Sequence, residues 1–558
     1  MPAGATEDDH LGLLGVLNSS VACFWVKQIA HNKGDSTDQH GARTTGDPAF
    51  NTYEFSATQL EAFPLPNGRP LALARQIDSL AQELASHRPD AITRRYIPSA
   101  SILAEQHEKF ISTLGQMIAL QEELDWECYR LYGLLEDSPR CQHPPEIQLG
   151  QRAFEIILAR AIASGEEQSA WFTRHNSTPM TAIPTDWPPE YRAIVQQRLD
   201  IIESNASIAL IERPEFKRRW NTEAWDQQQE QALRGWLLDR LEALFDLDGR
   251  MNERQQITAH ADLHQPALTS LARIADLARA DKDFMQVAEV FTGRMDFDVG
   301  TLVGELVAAE SVPALPVLRY KPAAMDKRRA WERTWELQRL EDAVESLFEV
   351  DWLKSIAAGQ AEEALRPRVM ALQIDEQAKP VVLHEAAGAA GYVADAVRQQ
   401  LNLASEIILK PVHDAAKRAK RAAVGDIPVP PKYTSADFLS GAMWRLRGKL
   451  DVPKERWVSF PNCEGEDGTL VVAWAGYDHL QMARAIAERY ELAKENEGRK
   501  LVPLLAAIGQ LVPWLKQWHN ELDPKYATRM GDYFEGYVAE EARAMGKSVQ
   551  DVMAWSPP

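Results

Sequence analysis

The sequence predicts a mainly α-helical, multi-helical protein with a small α/β unit near its beginning and a few short strands near residues 444–474. Two observations carry that expectation. Apolar residues recur at three- and four-residue spacing through most of the chain, the period of a half-buried helix. The regular strand–helix alternation of a doubly wound parallel sheet does not occur. The 558 residues are 45% hydrophobic and include 16 tryptophans, enough for several cores, and the length predicts three or four domains. Cys23, Cys128, Cys141 and Cys463 form no Cys-x-x-Cys pair, and no apolar run reaches membrane-spanning length. Both facts predict a cytoplasmic location and no membrane partner.

Taken in order, Thr6-Glu7-Asp8-Asp9 offers oxygens to a first helical turn. Leu14, Leu17, Val21, Phe24 and Trp25 then recur at helical spacing, so residues 11–30 read as one helix with one buried face. From 31 to 48 the apolar signal vanishes, which predicts a polar loop rich in hydrogen-bonding side chains. Tyr53-Glu54-Phe55 alternates like a short edge strand, and Phe63-Pro64-Leu65-Pro66 closes the unit because neither proline can donate to a ladder. Leu73, Ile77, Leu80 and Leu84 mark a short amphipathic helix, followed by a break at 89–98. Leu103, Phe110, Met117, Leu124 and Leu131 then fall seven residues apart, so 67–135 reads as a helical hairpin spacer with a buried seam. Residues 136–424 read as a large helical domain without a constant repeat, broken by prolines at Pro144-Pro145, 184–189, 313–322 and Arg366-Pro367. Residues 425–433 carry three prolines and read as a stiff linker. Residues 434–558 form a C-terminal, mostly helical domain, with strands expected within 444–460 and 469–474.

These stretches carry a resemblance. Leu13-Leu14-Gly15-Val16-Leu17-Asn18-Ser19-Ser20 with Phe24-Trp25, and Phe63-Pro64-Leu65-Pro66 beyond, resembles the end of the target recognition domain in Eco57I/TaqI-like adenine-specific DNA methyltransferases. Within them the similarity is to the PglX type of the phage growth limitation, or type 2 BREX, defence systems. Glu123-Leu124-Asp125-Trp126, Trp331-Glu332-Arg333-Thr334-Trp335, the run 443–456, Trp474-Ala475-Gly476-Tyr477-Asp478-His479 and Trp514-Leu515-Lys516-Gln517-Trp518 resemble that family's C-terminal part. The resemblance makes residues 1–66 the end of a target recognition domain. A recognition unit feeding a helical spacer is also similar in architecture to the specificity subunits of type I restriction enzymes.

No catalytic residue, resident cofactor or metal is assigned to the chain itself. An amino methyltransferase needs a glycine-rich turn for S-adenosylmethionine and an Asn/Asp-Pro-Pro-Tyr/Phe loop to hold a flipped adenine. In Asp186-Trp187-Pro188-Pro189-Glu190-Tyr191, Trp187 and Glu190 break that spacing, and the prolines suit a helix start. S-adenosylmethionine is therefore expected in a missing catalytic half. Gly441 to Lys449 is no phosphate loop, because six residues separate Gly441 from Gly448 and Leu450 stands where Ser or Thr would meet magnesium. His260 and His264, four apart with Asp262 between them, have no evident third metal ligand. Glu215-Phe216-Lys217 mimics a nuclease triplet that chance often supplies, and it reads as part of a helix start.

The formal charge of −20 argues against nucleic-acid binding over the whole surface, so any DNA contact must be local. Residues 401–460 hold eleven Lys/Arg against six Asp/Glu, a net of +5. From this island come the candidates Lys417, Arg418, Lys420, Arg421, Arg445, Arg447 and Lys449. A second island supplies Arg319, Lys321, Lys327, Arg328, Arg329 and Arg333. In the polar loop, His31, Asn32, Lys33, Arg43, Thr44 and Thr45 are candidates for base reading, since Asn and Arg can grip adenine and guanine edges bidentately. For each island a solvated, unbalanced helix face is the blander reading. The sequence thus predicts the DNA-recognition and scaffold portion of a PglX-like N6-adenine methyltransferase in phage defence. Its expected partners are double-stranded DNA, the methyltransferase half and other BREX proteins. The alternative is a noncatalytic scaffold that docks defence proteins without touching DNA.

Overall fold

The computed structural model describes residues 4–34, 49, 51–220, 223–245, 266–356, 359–448, 452–496, 501–524 and 527–557. Helix makes up 64% of the structure, with 24 α-helices and only small sheets among the described residues, so the fold is mainly α as the periodicity implies. The chain divides into two compact units, Met1–Leu237 with Lys282–Met295, and Leu238–Asp281 with Asp296–Pro558.

In the first unit, α1 (Glu7–Leu17) starts with a capping box in which Thr6 and Asp9 satisfy each other's backbone N–H. α2 (Ser20–Ile29) follows at once, so two helices stand where the spacing predicts one. The break has a local and a distant cause. The Ser19 hydroxyl accepts from the Ala22 N–H at 3.3 Å, and both the N–H and the hydroxyl of Ser20 donate to the Asp125 carboxylate, at 2.8 and 2.7 Å. The break also changes the buried face: Leu11, Gly12, Gly15 and Val16 turn inward, while Leu14 and Leu17 are exposed.

Strands β1 (His31–Gly34) and β2 (Thr52–Glu54) pair antiparallel with Asn32 opposite Tyr53, so the first residues of the expected loop are extended. After α3 (Ala57–Glu61), α4 (Leu71–Ser86) and α5 (Pro89–Arg95) lead to α6 (Ala100–Leu131), the last capped by Ser99. Because α5 begins with Pro89 at its first turn, the expected break at 89–98 carries a short helix. α4 packs along α6, and Leu103, Phe110, Met117 and Leu124 form the buried seam while Leu131 is half-buried. At Gly15 an added Cβ would lie 2.8 Å from the Ala74 side chain, so only glycine lets α1 approach α4 there. The unit's main core gathers on Trp126, Tyr129, Leu199 and Ile208, with α7 (Ala153–Ser164), α8 (Trp171–Arg174), α9 (Pro189–Ser204), α10 (Ala206–Ile211) and α11 (Trp225–Ala243) completing this part of the chain.

The second unit is built on four very short strands, β3 (Thr269–Ser270), β4 (Ser311–Pro313), β5 (Trp457–Ser459) and β6 (Val471–Trp474), in the order β3-β6-β5-β4. β5 and β6 lie where strands were expected, whereas residues 441–447 are helical and β3 and β4 have no pattern of their own. β4 runs parallel to β5, with Val312 opposite Val458, and Pro313 is tolerated because β4 is an edge. α12 (Leu271–Ala280) and α14 (Val299–Ala309) belong with this sheet, while α13 (Lys282–Thr292), between them in sequence, is part of the first unit. A helical layer follows: α15 (Met325–Glu345), α16 (Val350–Ser355), α17 (Ala361–Ala371), α18 (Lys379–Arg398) and α19 (Glu406–Val424). Pro367 lies inside α17, so the expected break is absent there. Pro411 lies inside α19, and the carbonyl of Ile407 that it cannot serve accepts instead from the Tyr392 hydroxyl at 3.1 Å. α20 (Gly441–Arg447), α21 (His479–Asn496), α22 (Leu501–Trp518), α23 (Met530–Ala544) and α24 (Val549–Met553) complete the unit. No described helix is long and apolar enough to cross a membrane.

Candidate nucleic-acid interface

α19 is amphipathic in a way that separates charge from core. Ile408, Val412, Ala415, Ala416 and Ala419 are buried, and the spacing of 410, 414, 417 and 421 places those side chains together on the opposite, exposed face. Lys410 pairs with Asp414 at 2.8 Å, whereas Lys417 and Arg421 make no ion pair among the described residues. Arg418 and Lys420 flank that face and are engaged: Arg418 makes two hydrogen bonds to Glu385 at 3.0 and 2.7 Å, and Lys420 lies 2.9 Å from Glu345 and 3.7 Å from Glu341. The hydrogen bond from Arg418 holds the Glu385 carboxyl below its ordinary range, so this charge is compensated within the helical layer.

The second island does not form one surface. Arg319 and Arg328 are buried, and with Arg447 they line a cavity. The guanidinium of Arg328 lies 4.3 Å from the Trp331 ring centre and its Nε donates to Glu332 at 3.0 Å. Arg447 pairs with the buried Glu455. Lys327 reaches Asp437 at 2.8 Å, and Arg329 pairs with Asp326 on the surface. Lys321 and Arg445 are exposed and make no ion pair among the described residues.

In the first unit, His31, Asn32 and Lys33 are exposed on β1, with Lys33 3.0 Å from Glu54 on the paired strand. The hydrogen bond and charge of Lys33 lower the Glu54 carboxyl. Arg43, Thr44, Thr45, Lys449 and the His260, Asp262 and His264 trio lie outside the described residues.

Sequence reasoning missed a charge cluster sealed inside the first unit. Lys217 is buried, and its ammonium donates to Asp125 at 2.8 Å and Glu212 at 2.9 Å, with Glu122 at 3.7 Å. Asp125 also receives the two Ser20 bonds, and the Tyr129 hydroxyl donates to Glu212. Beside them Arg198 pairs with Glu123 at 2.7 Å, and Arg152 pairs with Glu155 at 2.8 Å. Burial disfavours the Lys217 charge, but Asp125, Glu212 and Glu122 outweigh it and hold the ammonium well above its ordinary pKa. Burial pushes the Glu122 carboxyl up to about 7, against the pull of Lys217. The signal in the sequence was position: Glu122 and Asp125 flank Leu124 on the buried seam of α6, where a solvated carboxylate has no place. The cluster ties α6, α2 and the chain around 212–217 together by charge.

A family model described as "Domain of unknown function (DUF7008)" matches residues 117–558. The chain belongs to that family. It is also 40% identical over 562 aligned residues to the adenine-specific methyltransferase PglX of Streptomyces coelicolor. That match covers 100% of this chain and 39% of the methyltransferase, its C-terminal part, as the motifs implied. No solved structure matches. The DUF7008 match takes in the charge cluster from Glu122 onward, α19 and the arginine-lined cavity, while α1, α2 and the β1–β2 hairpin precede it.

Proposed function

We propose that this chain is the DNA-contacting and scaffold portion of a PglX-like adenine-specific methyltransferase acting in bacterial phage defence, with methyl transfer carried by the remainder of such a protein. The observation that supports this best is the exposed face of α19, where Lys417 and Arg421 stand opposite a fully apolar face in a chain of net charge −20. Cations that make no ion pair among the described residues, on an otherwise acidic protein, are suited to phosphates, which release counterions when neutralised. Phosphate contacts would fix register on the duplex, and base reading is assigned to the β1–β2 hairpin side through Asn32 and the adjoining 35–48 segment.

The test is a salt titration of duplex binding by this chain. Replacing Lys417 and Arg421 together by Gln weakens binding to every duplex alike and lowers the slope of log K against log salt by about 2, roughly one for each phosphate that is no longer neutralised. An unchanged affinity and slope would sink the assignment to α19 and favour the scaffold reading, in which this layer docks other defence proteins.

A further inference from the structure

A second site lies in the second unit, where α15 meets α22. A cavity of about 440 Å³ opens between these two helices and the end of α24. Trp331 and Trp335 of α15 and Trp514 of α22 give it an aromatic wall, each indole half-buried, and Gln510 and Met553 also line it. The three rings lie 5.7 to 6.2 Å apart and are tilted 49 to 63° to one another, so none is stacked on the next.

The arginines of this wall are of two kinds. Arg328 donates to Glu332 at 3.0 Å, Arg329 pairs with Asp326, and Arg333 lies 2.7 Å from Glu336, so these three charges are answered on α15 itself. Arg339, one turn beyond Trp335 on the same face, makes no hydrogen bond or ion pair among the described residues. Its guanidinium lies 5.2 Å from the Trp514 ring centre, and one of its terminal nitrogens is shut off from water with no acceptor among them. The indole N–H of Trp335 is in the same condition. Desolvation lowers the Arg339 pKa, and Glu336, whose carboxylate is taken by Arg333, offsets only part of that. A guanidinium nevertheless stays charged in a protein. The site therefore holds a half-buried cation and an orphaned indole donor side by side, and what it lacks is an acceptor.

A guanidinium fork matches the two oxygens of a carboxylate, and the cation–π contact with Trp514 holds the fork in place before any ligand arrives. One unanswered charge suits a monoanion, whereas a phosphate dianion calls for several cations. Half-buried indoles gain most from a flat apolar body laid against them. The volume falls in the range of small-molecule sites. We infer that this cavity binds a small aromatic carboxylate, its carboxylate on Arg339 and its ring against Trp331, Trp335 and Trp514. The site is independent of the α19 reading, since none of its residues lies on that helix.

The test is calorimetric and fluorescence titration of the whole chain with 2-naphthoate, with its neutral analogue 2-naphthalenemethanol, and with AMP as a dianion on a flat ring. Naphthoate binds saturably and quenches tryptophan emission, while the alcohol and AMP each bind at least about tenfold more weakly. Two variants probe the charge: Arg339→Gln removes the cation, and Gln510→Glu adds a competing carboxylate to the lining. Arg339→Gln keeps the parent melting temperature, because no printed ion pair is lost with it, and it binds naphthoate no better than the alcohol. Gln510→Glu weakens naphthoate about tenfold and leaves the alcohol unchanged, which keeps the charge testable even if Arg339→Gln folds poorly. The inference is overturned if naphthoate does not saturate at millimolar concentration, if the alcohol or AMP binds as tightly, or if either variant with the parent melting temperature binds naphthoate like the parent.

Discussion

Replacing Lys217 by Met is the sharpest test of what holds the first unit together. The substitution keeps the length of an unbranched side chain but removes an ammonium that is only 1% exposed, leaving Asp125, Glu212 and Glu122 facing one another. Two charge-assisted hydrogen bonds disappear, at 2.8 and 2.9 Å, and each is worth about 1.5–3 kcal/mol. Protonation of the orphaned carboxylates recovers part of that, so the expected loss is roughly 3–5 kcal/mol, the usual cost of breaking a buried pair from one side. The loss depends on pH with a definite sign. Burial raises the Glu122 carboxyl and Lys217 pulls it back down, so without the cation that carboxyl rises further and the folded chain holds a proton that the unfolded chain has released. Stability of the variant therefore falls, relative to the parent, as pH rises from 5 to 8. The assay is urea unfolding followed by tryptophan fluorescence at both pH values. A loss below about 1 kcal/mol at both, or one that shrinks toward pH 8, would refute the account of the cluster.

The remaining predictions are simpler. Glu122 is held near 7 in the folded protein and is ordinary when unfolded, so it adds stability at low pH that is withdrawn between about 4.5 and 7; Glu122→Gln should remove that component, and the variant should gain on the parent by on the order of 3 kcal/mol above pH 7. Calorimetric melting at pH 5 and pH 8 checks this, and a difference between variant and parent that does not change with pH counts against it. Met117→Asp puts an unpaired carboxylate into the α4–α6 seam and should cost several kcal/mol, whereas Glu108→Gln on the exposed side of α6 should stay within about 0.5 kcal/mol. Equal small shifts in melting temperature would remove the seam as an explanation for the long helix. Ser20→Ala deletes one of the two Ser20 bonds to Asp125 and should cost about 1–2 kcal/mol, while Ser56→Ala, which uncaps the short exposed α3, should be nearly silent by the same measurement.

Much of the fold was legible because its cause is local. The heptad-spaced Leu103, Phe110, Met117 and Leu124 announce a helix and its buried seam, since a 3.6-residue period repeated over 32 residues has no other solution. The motifs likewise pointed to a likeness to PglX-type methyltransferases that the 40% identity to PglX over the whole of this chain bears out. What the sequence could not decide is settled by partners far along the chain. The helix break at Asn18-Ser19 depends on Asp125, more than a hundred residues away, because a carboxylate brought there by packing offers the Ser20 N–H a better partner than a continued helix. Strands of two and three residues at β3 and β4 carry no period to read, and they exist only because β5 and β6 supply their hydrogen bonds. Charge was the least legible of all. Lys217 looked like a helix-start lysine, and Arg319 and Arg328 like members of a surface island, yet all three are buried. A charged residue is read as solvated unless its counter-charge is in view, and here the counter-charges or cavity walls arrive from distant segments, so only the tertiary structure decides which cations meet water and which meet carboxylates.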